Sequence, residues 1–87
     1  EVLMKYTFTP KGVCAMKLSF DLDDGKISDI KFLGGCNGNL SAISKLAEGM
    51  DAERLVSILR GNKCGMKNTS CADQLAEAVE LALEGKL

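Results

Sequence analysis

The sequence predicts a two-layer α+β domain: a three-stranded antiparallel sheet followed by three helices packed on one face. Three observations carry that expectation. The first third of the chain alternates apolar and polar residues, the rest spaces its apolar residues by three and four, and Asp, Gly and Ser signals fall at the joints. The 87 residues are read as a single domain, 1–87.

Residues 2–9 place Val2, Met4, Tyr6 and Phe8 on one face and Lys5, Thr7 and Thr9 on the other, which is strand periodicity. Thr9-Pro10-Lys11-Gly12 reads as a turn. Residues 14–22 alternate again, with Met16, Leu18, Phe20 and Leu22 inward and Lys17, Ser19 and Asp21 outward. Asp23-Asp24-Gly25-Lys26 signals a hairpin, and residues 27–33 form the third strand with Ile30 and Phe32 inward. Such a sheet has one apolar face, which helices must cover.

Asn39 or Ser41 is expected to cap a helix running to about Met50, with Leu40, Ile43, Leu46 and Ala47 on its apolar side. Asp51 opens a second helix with Leu55, Ile58 and Leu59 apolar, closed by Gly61. Residues 61–69 read as a polar loop. Ser70, with Asp73 three residues on, makes an Asp version of the capping box and opens a last helix through Glu84. Its apolar stripe is Leu75, Ala78, Val79, Ala82 and Leu83.

Composition narrows the function classes. A chain of this length buries only about 60–65% of its unfolded surface, so a metal or crosslink would add useful stability. The residues are 46% hydrophobic and 26% charged with net charge −1, which argues against a nucleic-acid or anionic-membrane surface. No run has the length of a membrane span and no stretch reads as a signal peptide, so the expected compartment is the cytoplasm, where thiols stay reduced.

Against that ordinary background stand four cysteines, Cys14, Cys36, Cys64 and Cys71, in a chain without histidine. Four converging thiolates make a complete tetrahedral site for zinc or for iron. Pairing Phe20 with Ile30 and Leu18 with Phe32, and continuing that register to the open end of the hairpin, sets Cys14 opposite Cys36. Cys71 is the first residue of the last helix and Cys64 lies in the loop before it. Helix N-termini offer N–H groups to negative sulfur, which suits Cys71 and, ahead of the first helix, Cys36.

Supporting residues are read around the thiolates. Gly35 and Gly38 let the backbone approach a metal, and Asn39 stands at the helix start. Lys67, with Lys63, offsets thiolate charge, while Ser70 and Asp73 fix the helix that carries Cys71. Other readings stay open: Cys14 as a small core residue, a structural disulfide, or Cys64 and Cys71 cycling as a dithiol. No pair has C-x-x-C spacing. With no histidine as base, no phosphate loop, and G-G-C-N-G-N at the wrong spacing for a nucleotide fingerprint, no catalysis by this domain alone is expected. Asp21, Asp23, Asp24 and Asp29 miss the spacing of a calcium loop and read as solvated hairpin residues.

At T-S-C-A-D-Q-L-A the chain resembles the TSCPD domain family. The resemblance also rests on G-V-C at 12–14, F-x-G-G-C-x-G-N at 32–39 and G-x-x-C at 61–64, and runs over nearly the whole chain. Ala72 departs from it, standing where the family has Pro; proline in a first helical turn is favourable but dispensable. Members occur alone and as the C-terminal tail of cobalamin-dependent ribonucleotide reductases. The resemblance therefore implies a metal centre on Cys14, Cys36, Cys64 and Cys71, and a role as an accessory to ribonucleotide reductase. A weaker resemblance is to NifU-type iron–sulfur scaffolds, which share the strand and helix order and cysteines placed like Cys14, Cys36 and Cys71, with a lysine like Lys67. It implies an iron–sulfur client protein as the partner. Ser70 stands where those scaffolds have His, and Cys64 has no counterpart there.

Overall fold

The computed structural model describes residues 4–10, 15–34, 37–62 and 69–87. Three strands, β1 (Met4–Phe8), β2 (Ala15–Asp23) and β3 (Lys26–Gly34), precede three helices, α1 (Asn37–Ala47), α2 (Ala52–Leu59) and α3 (Cys71–Leu83). The strands form one antiparallel sheet in the order β1-β2-β3. The predicted α+β architecture is therefore the observed one. Val2, Lys11 and Gly12 of the sequence reading lie outside the described residues.

The β2–β3 turn follows from its two central residues. Asp24 at φ 54° and Gly25 at φ 78° both take the left-handed backbone that a tight two-residue hairpin needs, and Asp and Gly tolerate it best. On the core face, Tyr6 lies across from Phe20 in the β1–β2 register and their rings stack with centroids 5.5 Å apart.

Between β2 and β3 the register is not constant. Leu18 pairs with Phe32 and Ser19 with Lys31, but Asp21 pairs with Ser28, so Phe20 is opposed by two residues, Asp29 and Ile30. This is a β-bulge, and Asp29 carries its strain at φ 51°. The bulge decides the core. Ile27 and Ile30, three residues apart, would face opposite sides of an unbroken strand, yet both are buried in one cluster with Phe20 and Leu22.

Just below the bulge, the chain between α1 and α2 lays itself against the β3 edge. The Ile27 N–H donates to the Met50 carbonyl (2.9 Å), and the Gly49 N–H donates to the Ile27 carbonyl (2.7 Å). The Ala52 N–H reaches the Gly25 carbonyl (2.8 Å), and Lys26 pairs with Asp51 at 2.7 Å. Gly49, at φ 79°, ends α1 in the conformation that glycine favours after a helix.

α3 is the central helix. Leu75, Ala76, Ala78 and Val79 are all fully buried, with Ala72 and Ala82 nearly so, so apolar residues occupy most of its circumference. Its small alanines let neighbouring elements approach closely.

Three details of the helices differ from the sequence reading. α1 starts at Asn37, which puts Asn39 and Ser41 inside the helix rather than at its cap. Leu46 and Ile58, read as apolar-face residues, are exposed, and Leu83 is largely so. The stripe on α1 is Leu40, Ile43 and Ala47, the side on which the helix meets β3 and α3. Asp51 precedes α2, but its side chain makes no cap hydrogen bond and is spent on Lys26.

Asp29→Val is expected to lower stability by about 1–2 kcal/mol, because a β-branched residue resists a positive φ. Asp29→Gly is expected to be near neutral in the same urea unfolding experiment. Equal stability of the two variants would remove the bulge from its role in register.

Candidate functional site

The start of α3 is built by its polar residues. Ser70 is the N-cap in an extended conformation, and its hydroxyl accepts from the Asp73 N–H at 3.0 Å. That hydroxyl also donates to the Asn62 carbonyl and accepts from the Asn62 side-chain amide (3.3 Å). The expected capping box forms by half. The Asp73 carboxylate is turned instead toward the end of α2, where it accepts from the Gly61 N–H (2.6 Å), from Arg60 Nη1 (2.9 Å) and from the Thr69 hydroxyl. Gln74 completes the set, its side-chain amide donating to Thr69 Oγ1 at 3.2 Å.

The result is a clasp that fastens the end of α2 to the beginning of α3. Asp73 is 5% exposed and Ser70 6%, so both polar side chains are effectively removed from water and must be answered by partners. Burial by itself would raise the Asp73 carboxyl. The Thr69 hydroxyl, the Gly61 N–H and the Arg60 guanidinium outweigh it and hold the carboxyl below its ordinary range. Arg60 is raised in turn, first by its hydrogen bond to Asp73. Its guanidinium also reaches Glu80 at 3.2 Å and Glu77 at 3.9 Å on successive turns of α3. Gly61 takes φ 88°, which aims its N–H at the carboxylate.

Cys71 is the residue this clasp positions. It is a free thiol, half buried, at the first position of α3, between Ser70 and the buried Ala72. Of the residues expected to surround a metal, Cys71, Ser70 and Asp73 come together here, and Gly38 and Asn39 lie in the first turn of α1. Cys14, Gly35, Cys36, Cys64 and Lys67, with Lys63, lie outside the described residues. Among the described residues no three His, Cys, Asp or Glu side chains form a metal-binding group. The constant register read from the sequence breaks before it reaches Cys14 and Cys36, which themselves lie outside the described residues. Lys17 pairs with Leu33 but Ala15 pairs with Gly34, so Met16 is an extra residue in β2 and the pairing shifts by one.

The sequence reading missed Arg60 and Asn62. A buried aspartate demands a cation or several N–H donors, and the only arginines available are Arg54 and Arg60. The signal existed, but it becomes legible only once Asp73 is known to be buried.

A family model described as TSCPD domain matches residues 3–83. No curated protein and no solved structure matches the chain. Nothing in these comparisons supports the likeness to iron–sulfur scaffolds. No helix among the described residues is long and apolar enough to cross a membrane.

Asp73→Asn keeps the shape of the clasp and removes its charge. It is expected to cost about 1–3 kcal/mol at pH 7, read by thermal or urea unfolding. Because the carboxyl ionises below its unfolded value of about 4, its contribution is fully present above about pH 4 and lost as pH falls through the lower folded value. The gap between wild type and Asp73→Asn should therefore close on acidification. A gap that stayed constant from pH 7 to pH 2 would show that the charge contributes nothing.

Proposed function

The chain belongs to the TSCPD domain family, and on that footing we propose that it is a small metal-binding module, an accessory to ribonucleotide reduction. Cys14, Cys36, Cys64 and Cys71 would supply four thiolates to one zinc ion or one iron–sulfur cluster. The observation that carries this reading is the clasp around Cys71. Thr69, Ser70, Asp73 and Gln74 all spend their polar groups on fixing the first turn of α3, and the one reactive side chain that turn carries is a free, half-buried thiol.

That arrangement suits a ligand. A thiolate at a helix N-terminus meets backbone N–H groups and the positive end of the helix dipole, and a rigid first turn lowers the entropy lost on binding metal. Structural zinc contributes roughly 10–16 kcal/mol in small peptides, as much as the roughly 5–15 kcal/mol of a whole domain. For a core of this size, with alanine at many of its helix positions, such a contribution would be large. When bound, the metal would supply rigidity as zinc, or an electron site as a cluster.

The test is metal content per chain, with an absorption spectrum, on protein purified anaerobically without a metal-affinity tag. One zinc per chain without visible absorbance, or iron and sulfide with broad visible absorbance, is the expected result. Cys71→Ser should weaken metal binding by at least about tenfold and lower the melting temperature of the metal-loaded protein only. Protein free of metal under these conditions would overturn the reading in favour of a dithiol. An unchanged metal content in Cys71→Ser would remove that residue from the site.

A further inference from the structure

The T-S-C-P-D motif of the family has proline after its cysteine, and this chain has Ala72 there. The exchange adds one main-chain N–H, because proline carries none. The first hydrogen bond of the α3 ladder runs from the Gln74 N–H to the Ser70 carbonyl (2.9 Å), so the N–H groups of Cys71, Ala72 and Asp73 lie ahead of it. That of Asp73 is taken by the Ser70 hydroxyl at 3.0 Å. Those of Cys71 and Ala72 have no hydrogen-bond partner among the described residues. Resting on the metal reading above, we propose that the Ala72 N–H donates to a metal-bound thiolate sulfur, a hydrogen bond that the proline of the family motif cannot make.

Burial, direction and charge support that bond. Ala72 is 5% exposed, and a main-chain N–H withdrawn from water costs free energy unless an acceptor comes to it. Helix N–H groups point toward the N-terminus and helix side chains lean the same way, so a thiolate carried by Cys71 stands on the side that this donor faces. The Ser70 cap has no acceptor left for it, since its hydroxyl is held by the Asp73 N–H and both donor and acceptor contacts to Asn62. Several thiolates on one metal concentrate negative charge, and an N–H aimed at sulfur stabilises that charge. In an iron–sulfur cluster the same donor favours the reduced state, which is the more negative one.

Restoring the proline separates this role from packing, because the two effects have opposite signs. Proline costs no helical hydrogen bond in this turn and narrows the unfolded ensemble, so metal-free A72P is expected to melt at or above the wild-type temperature. Its zinc affinity, measured by competition with a chromophoric chelator, should still fall by at least about tenfold. If the centre is a cluster, its midpoint potential should fall as well. A72G keeps the N–H and should bind zinc like wild type. The bond is also visible in the unaltered chain: loaded with a spin-active cadmium isotope, it should show scalar coupling between the metal and the Ala72 amide proton, a measurement that decides the matter even if A72P does not fold. Equal zinc affinity in folded A72P, an equal loss in A72G, or cadmium-loaded wild type without coupling at Ala72 would each overturn the proposal and leave the metal reading standing. Wild type that binds neither zinc nor cadmium would overturn both.

Discussion

The carboxylate of Asp73 is the interaction on which the helical layer depends. A charge taken out of water must be answered from close range, and this one is answered by a main-chain N–H, a hydroxyl and a guanidinium that come from both sides of a chain reversal. Gly61 and Arg60 belong to the end of α2, and Thr69 to the approach to α3. Satisfying Asp73 therefore fixes how these two helices meet. Arg60 then spans the surface of α3 toward Glu77 and Glu80, and Ser70 ties the same turn to Asn62. The contacts on the solvent side are individually weak. Their value lies in converging on one buried group.

The sheet has a comparable fixed point at Asp29. An aspartate in the left-handed region costs some backbone strain, but that one residue returns Ile27 and Ile30 to a common face and lets the core close over α3. The strain also has a local partner, because the Asp29 N–H points outward to Glu48. Fold and edge are thus set together. The turn that joins α1 to α2 seals the half of β3 below the bulge, and the half above it keeps a groove against α1.

These two fixed points bear on the chemistry in different ways. The clasp holds one thiol at the start of a helix that is buried over most of its circumference, an arrangement that would leave the ligand proposed here little conformational freedom to lose. The small residues of α3 serve the same end. Alanines at many of its buried positions leave room for neighbouring elements to pack tightly around Leu75 and Val79. A domain built this way would gain stability from the metal proposed for its thiols.

Much of this protein was legible in its sequence. Strand alternation, the Asp24-Gly25 turn, the Ser70 cap and the apolar spacing of the last helix gave the order of elements and most of the core, since each depends on residues close in the chain. The T-S-C-A-D-Q-L-A segment likewise pointed to its family without a structure. What the tertiary structure decided was longer in range. Whether Asp73 completes a local box or answers Arg60 depends on the crossing of two helices. Whether Ile27 faces the core depends on a bulge that alternation does not reveal, and whether Leu46 and Ile58 are covered depends on which line of each helix meets a neighbour. Propensity and period act over a few residues, but burial and charge pairing are settled by what the rest of the chain brings alongside.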